Sequence, residues 1–175
     1  MGLDMYYYAR TKNKLNVEDL NDDNYQSFSK WNEDDKVDNT NYPEDLKELS
    51  DYIFNRNFKS SFIEENGLYY YQIGYFRKFN ALHKYMCNLD DGRDECQDIL
   101  LTRDNIKDLY DLLNTIKHNR SKAPELLPVQ EGFFFGSYDY DDWYFNNVDD
   151  AIEMCELFLE YFNFDKYDLV YQASW

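Results

Sequence analysis

Hydrophobic and polar positions alternate with two different periods along the chain, and these periods predict interleaved strands and helices. Aromatic-rich runs at residues 3–10, 68–77 and 165–175 are typical of strands, and residues 97–101 add a short one. Apolar positions three and four apart predict a helix over 78–89. A longer helix follows from Thr102 as N-cap to about His118, with a buried stripe of Ile106, Leu109, Leu112, Leu113 and Ile116.

Capping signals predict two more helices. Pro43, with Glu44 and Asp45 beside it, favours a helix start that continues to Phe54. Asn147 is the predicted N-cap of a last helix through Leu159, and residues 121–128 are a predicted loop. The hairpin-like turns argue against strict parallel units. We therefore predict an α+β fold, a mixed and mainly antiparallel sheet with about three helices on one face.

One domain over residues 1–175 is expected, with an acidic insertion at 16–57. The insertion is rich in Asn and Asp and is the least regular part of the chain. A short amphipathic piece lies around Tyr25, Phe28 and Trp31. This region is either a partner-binding face or disordered.

The densest run of aromatic residues spans positions 132–145. Three phenylalanines between Gly132 and Gly136 predict a short buried strand. Tyrosine and tryptophan then alternate with aspartate, at Tyr138, Asp139, Tyr140, Asp141, Asp142, Trp143 and Tyr144. Such rings either cap the core or form a binding surface, because each has an apolar body and a polar tip.

The net charge of the chain limits the kinds of partner that it is expected to bind. The chain has 35 acidic and 18 basic side chains among 175 residues, for a net charge of -17. A field of that sign repels phosphates, so direct binding to nucleic acid is not expected. It suits a protein with a basic, nucleic-acid-binding surface, although solubility alone is an equally good explanation.

Cysteine usage and hydropathy predict a reduced, cytoplasmic setting. Cys87, Cys96 and Cys155 are an odd number without a repeating spacing, and no apolar signal region follows Met1. No apolar run approaches the ~20 residues needed to span a bilayer. Neither membrane association nor secretion is expected.

Catalytic and metal-binding signals are weak. His83 and Cys87 lie four residues apart on one predicted helix, and Cys96 follows, but a tetrahedral zinc site needs a fourth ligand. A packed, hydrogen-bonded histidine is the expected state of His83. A hydrolase would need a catalytic residue among His83 and Cys96, and the Cys96 thiol is surrounded by aspartates that oppose its ionisation. We expect no catalytic residue, metal or cofactor.

Several short motifs resemble a family of small phage and prophage proteins of uncharacterised function. They are the start Met-Gly-Leu-Asp-Met-Tyr, the segments at 75–85, 125–128 and 132–137, and the ending Tyr-Gln-Ala-Ser-Trp. The acidic residues 16–57 have no counterpart in the resemblance. It implies expression in the cytoplasm of an infected bacterium, where small acidic phage proteins often inhibit restriction or CRISPR systems.

The resulting hypothesis is a non-enzymatic inhibitor of a host nucleic-acid-handling or defence protein, of anti-CRISPR or anti-restriction type, whose carboxylates imitate phosphates. Its predicted contact residues are Asp22, Asp23, Glu33, Asp34, Asp35, Asp139, Asp141, Asp142, Trp143 and Tyr144. The alternative is a small-ligand or nucleotide sponge. Its pocket would combine the aromatic stretch with Arg77, Lys78 and His83.

Overall fold

The computed structural model describes residues 2–14, 42–54, 61–63, 67–131 and 136–175. The described strands form one five-stranded antiparallel sheet in the order β2-β3-β1-β5-β4. Their bounds are β1 Asp4–Thr11, β2 Ser61–Ile63, β3 Tyr69–Arg77, β4 Ile99–Leu101 and β5 Tyr167–Ser174. The predicted α+β class is confirmed, and every pairing in the described sheet is antiparallel.

The helices follow the capping and periodicity signals closely. Their bounds are α1 Lys47–Phe54, α2 Asn80–Asn88, α3 Arg103–His118, α4 Ala123–Leu126 and α5 Asp142–Tyr161. A 3-10 turn at Glu44–Leu46 leads from Pro43 into α1. Thr102 caps α3 as predicted. Its hydroxyl accepts a hydrogen bond from the Asn105 backbone amide, and the Asn105 side-chain oxygen accepts one from the Thr102 backbone amide.

The alternation of side chains along β1 divides the molecule into two layers. Met5, Tyr7 and Ala9 point into the main core, which also contains the buried stripes of α3 and α5. Tyr8 points the other way and packs with Tyr70 and Val170 in a separate small cluster. Helices therefore cover one face of the sheet, which confirms the predicted arrangement.

A close contact between Tyr7 and Gly74 fixes the centre of this sheet. The two residues are paired across β1 and β3, next to a shift in register after Tyr7. A Cβ atom on Gly74 would lie 2.8 Å from the Tyr7 Cβ and 2.9 Å from its Cδ2. The glycine is therefore needed because it lets the Tyr7 ring lie directly against the neighbouring strand.

Arg10 forms a network of ion pairs and hydrogen bonds on the sheet face opposite the main core. Its guanidinium lies 2.9 Å from the Asp168 carboxylate and 3.4 Å from that of Asp98. The Tyr70 hydroxyl donates to the same Asp98 carboxylate at 2.9 Å, and the guanidinium lies over the Tyr70 ring. The basic residue predicted at the end of the first strand thus ties β1 to β5 and to the segment before β4.

Two predicted boundaries are wrong. The last helix begins at Asp142, not after Asn147, because the Asp141 carboxylate caps it by accepting from the Tyr144 amide at 3.0 Å. Asn147 lies inside the helix and donates to the Trp143 carbonyl. The predicted loop at 121–128 contains a 3-10 turn, Arg120–Lys122, and the short helix α4, since proline is accepted in a first helical turn.

Some predictions fall on residues outside the described ranges. They are the buried strand at 133–135, the piece around Tyr25, Phe28 and Trp31, and the greater part of the acidic insertion. Among the helices that the structure does describe, none has the length and apolar character needed to cross a membrane.

Candidate functional site

Helix α2 and the loop after it bring three potential metal ligands together. His83 and Cys87 lie four residues apart and therefore share the buried face of α2. The chain then reverses through Asp91 and Gly92, both with positive φ, and returns Asp94 to the helix. The ligand atoms of His83, Cys87 and Asp94 all lie within 4.8 Å of one another, and we call these three residues the His83 cluster.

Hydrogen bonds fix the orientation of the His83 ring. Its Nε2 lies 3.0 Å from the Asp94 carboxylate, and its Nδ1 lies 2.7 Å from the Tyr171 hydroxyl. Burial lowers the pKa of His83, which Asp94 opposes only in part. The ring is therefore neutral near pH 7, with Nε2–H donating to the carboxylate and the Tyr171 hydroxyl donating to Nδ1.

The Cys87 thiol lies against the ring but is not arranged as a nucleophile. Its Sγ is 3.8 Å from Nδ1 and 3.7 Å from Nε2 of His83, so the sulfur lies over the ring and not on the axis of a nitrogen lone pair. Burial, followed by Asp94 and Asp90, raises the pKa of Cys87 to about 12. A buried, protonated thiol whose neighbouring base is already hydrogen-bonded on both nitrogens does not suit covalent catalysis.

The aspartates of this loop have separate roles. Asp90 is bound by the Arg93 guanidinium at 2.7 Å and by the Gln97 amide at 3.0 Å, which closes the loop on itself. Asp94 accepts from the Trp175 indole at 3.1 Å on the oxygen that His83 also contacts. Cys96, the third residue weighed as a zinc ligand and not expected to be one, is exposed and has a φ of 56°.

The start of α2 holds the aromatic stretch in place. The buried Asn80 side chain donates to the Ser137 carbonyl at 2.9 Å and accepts from the Gln130 amide at 3.0 Å. It therefore joins the two chain segments on either side of residues 132–135. Gly136, at a φ of 95°, lies so close to Lys78 that a Cβ would meet the Lys78 backbone oxygen at 3.0 Å.

Only some of the partner-binding residues predicted after the aromatic stretch are exposed to solvent. Asp139, Asp141 and Asp142 are exposed, and Trp143 is 39% exposed beside them, with Tyr138 at 44%. We call these five residues the Trp143 patch. Asp141 also has the structural task of capping α5.

Tyr144 was predicted to bind a partner, but it does not lie on the surface. It is only 1% exposed, and its hydroxyl donates to the Leu127 carbonyl at 2.8 Å inside the protein. Because α5 begins six residues earlier than predicted, its helical period turns Trp143 outward and Tyr144 inward. Tyr144 therefore supports the Trp143 patch from below and does not form part of it.

An acidic stripe continues from the Trp143 patch along α5. Its carboxylates fall within roughly 60° of one another around an axis with 3.6 residues per turn, over a length of about 27 Å. The stripe consists of the exposed residues Asp142, Asp149, Glu153, Glu156 and Glu160. Lys117 lies 2.8 Å from Asp149, and Arg120 lies 3.8 Å from Asp142, so cations of the neighbouring segment offset part of this charge.

The residues of the alternative pocket are not presented together to solvent. Arg77 and Lys78 are exposed at the end of β3, with the Arg77 Nε 3.6 Å from Asp4. The His83 ring is buried against Tyr171 and Asp94. In this arrangement a ligand held by the two cations has no access to the imidazole.

Asp22, Asp23, Glu33, Asp34 and Asp35 lie outside the described residues, so their part of the hypothesis stays a prediction. The sequence did not indicate that Asp94 and Tyr171 bond to His83, or that Trp175 bonds to Asp94. Nor was the stripe on α5 predicted, although the spacing of its acids by three, four and seven residues was a usable signal.

Comparisons of the chain with protein-family models, with curated proteins and with solved structures gave no match in any of the three.

Proposed function

We propose that the protein is a non-enzymatic binding protein that inhibits a bacterial nucleic-acid-handling or defence protein. Its carboxylates would occupy the basic surface on which that target holds phosphates. The observation that carries the proposal is that the exposed Trp143 patch is followed along α5 by the acidic stripe, two of whose five carboxylates are paired with Lys117 and Arg120. The net charge of -17 and the resemblance to small phage proteins support it.

The geometry of the stripe indicates how such a complex would form. Its five carboxylates cover about 27 Å, whereas one strand of B-DNA carries a charge every 3.4 Å along the axis. Counted without its cations, the stripe has roughly half the charge density of a DNA strand, and the ion pairs of Asp149 with Lys117 and of Asp142 with Arg120 lower it further. Electrostatic attraction alone would not make the contact specific, since charge mainly steers the encounter.

Trp143 and Tyr138 would supply the specificity that charge alone does not give. Both rings are partly exposed next to Asp139 and Asp142. Trp143 is also fixed from behind, because its ring meets the buried Phe79 edge-on at a centroid distance of 6.3 Å. A partly exposed aromatic ring on a rigid support, with charges around it, is a common anchor in protein interfaces.

The test uses amide substitutions that remove charge but preserve shape. The patch variant carries Asp139→Asn, Asp141→Asn and Asp142→Asn; asparagine caps a helix as well as aspartate does, so α5 should remain intact. The control variant removes the same number of charges from the exposed side of α3, with Asp104→Asn, Asp108→Asn and Asp111→Asn. Both variants are checked for wild-type folding by circular dichroism.

Tagged wild-type protein is used to capture partners from bacterial lysate at low and high salt. We expect a stoichiometric nucleic-acid-binding protein that the α3 control also captures, that the patch variant loses, and that added duplex DNA displaces. Capture that survives near 1 M salt, where the Debye length is about 3 Å, would refute phosphate imitation. Equal capture by the patch and control variants would also refute it.

A further inference from the structure

The His83 cluster has the donor atoms of a zinc site, and these atoms lie within 4.8 Å of one another. In a tetrahedral site with Zn–N and Zn–O distances of about 2.1 Å and Zn–S of about 2.3 Å, neighbouring ligand atoms lie about 3.4 to 3.6 Å apart. Here Nε2 of His83 is 3.0 Å from the Asp94 oxygen and 3.7 Å from the Cys87 sulfur. An ion would therefore need the first pair to separate by a few tenths of an ångström. It would also need the Cys87 side chain to rotate about its Cα–Cβ bond and bring Sγ towards the Nε2 lone pair, because the sulfur now lies over the ring, 3.8 Å from Nδ1 as well.

The surroundings of the cluster resemble those of protein-bound metals. Histidine ligands usually bond through their second nitrogen to a neighbouring group that fixes the ring. Nδ1 of His83 has such a partner in the Tyr171 hydroxyl, at 2.7 Å. The Trp175 indole similarly orients Asp94 at 3.1 Å.

The cluster also has a side from which an ion can enter. His83 and Cys87 are buried, whereas the Asp94 side chain is 24% exposed. Asp94 lies on a loop that follows two residues with positive φ, Asp91 and Gly92. An ion can thus approach past the carboxylate and reach the buried sulfur and nitrogen behind it.

We propose that His83 Nε2, Cys87 Sγ and a carboxylate oxygen of Asp94 bind one zinc ion, with water in the fourth position. One thiolate, one imidazole and one carboxylate form a donor set that favours zinc over magnesium or calcium, which prefer oxygen alone. Binding releases the thiol proton to solvent, and the imidazole changes tautomer: its proton leaves Nε2 and is held at Nδ1, which then donates to the Tyr171 hydroxyl oxygen. The site is independent of the proposed function, because none of its ligands belongs to the Trp143 patch or the stripe.

The test measures zinc and cobalt binding by the whole chain after treatment with a chelator. Zinc affinity is measured by competition with a chromophoric chelator, and Co²⁺ serves as a spectroscopic probe of the ligands. We expect one ion per chain, a thiolate-to-cobalt charge-transfer band, and intense visible bands typical of four-coordinate cobalt. The absence of stoichiometric zinc binding would mean that the cluster is only a hydrogen-bonded part of the core and would overturn the proposal.

Four variants assign the ligands. Cys87→Ser should abolish the charge-transfer band, and Asp94→Asn, which keeps the shape of the side chain, should weaken zinc binding at least about tenfold. Asp91→Asn is the matched loop control and should bind as the wild type does, since asparagine also accepts a positive φ. Cys96→Ser should keep the band. Loss of the band in Cys96→Ser, or equal weakening by Asp91→Asn and Asp94→Asn, would overturn the assignment.

Discussion

Replacement of Asn80 by alanine should test how α2 positions the aromatic stretch. The change removes two hydrogen bonds, the 2.9 Å bond to the Ser137 carbonyl and the 3.0 Å bond from the Gln130 amide. A typical intramolecular hydrogen bond contributes about 1 kcal/mol net, so the two bonds together contribute about 2 kcal/mol. Ser137 is exposed, so water can solvate its carbonyl in the variant and limit the additional cost.

For a chain of this length, a loss of about 2 kcal/mol should lower Tm by about 4 to 8 °C. Urea denaturation gives the free energy, and Asn146→Ala is the matched control because Asn146 is an exposed asparagine within α5. The control should change stability by less than about 0.5 kcal/mol. If Asn80→Ala lowered the free energy of unfolding by no more than the control does, the two hydrogen bonds would not hold the aromatic stretch and the reasoning would be refuted.

The substitution Asn80→Asp distinguishes the contributions of the two hydrogen bonds. A carboxylate can still accept from the Gln130 amide, but it cannot donate to Ser137 and would instead face that carbonyl inside the protein. The negative charge gains about 0.3 to 1 kcal/mol from its place at the start of α2. We still expect Asn80→Asp to be less stable than the wild type, and wild-type stability would show that the Ser137 bond contributes nothing.

Three further changes test other parts of the fold. Gly74→Ala should cost about 1 to 3 kcal/mol in urea denaturation because its Cβ would lie 2.8 Å from that of Tyr7, and an unchanged midpoint would contradict this packing. Asp141→Ala should cost about 1 kcal/mol by removing the cap on the Tyr144 amide, while Asp141→Asn should cost only a few tenths; equal losses would contradict a capping role. Burial raises the pKa of Tyr144 and Tyr171 above the ordinary value of 10. The unfolded chain therefore loses these protons first, so the contribution of these two tyrosines to stability should be constant up to about pH 10 and then fall by up to about 1.4 kcal/mol per pH unit for each group. The buried Cys87 thiol, whose pKa is also raised, acts in the same direction from about pH 9. Urea unfolding between about pH 8 and 11 measures this, and a flat profile would refute it.

Elements with strong local signals were predictable from the sequence. The helix at Arg103–His118 combines a capping threonine with apolar residues at helical spacing, so its start and its buried face follow from neighbouring residues alone. The start of α5 was missed because Asp141 and Asn147 are both competent caps. The choice between them depends on whether Tyr144 is buried, which is a property of the tertiary structure.

The His83 cluster could be predicted only in part. The spacing of His83 and Cys87 places them on one helical face, which is a local property. Asp94 joins them through a reversal in which Asp91 adopts a φ of 54°, and several neighbouring aspartates are equally plausible ligands by sequence. Tyr171 comes from β5, and no local pattern indicates which strand lies beneath a given helix.

Helix α2 connects the two features on which the functional arguments depend. Its first residue, Asn80, bonds to the segments on both sides of residues 132–135, and its later residues His83 and Cys87 form the cluster with Asp94. It has only nine residues and no side-chain cap at its start, so packing must provide most of its stability. Zinc bound to His83, Cys87 and Asp94 would hold the loop on the helix beyond the residues that Asn80 fixes.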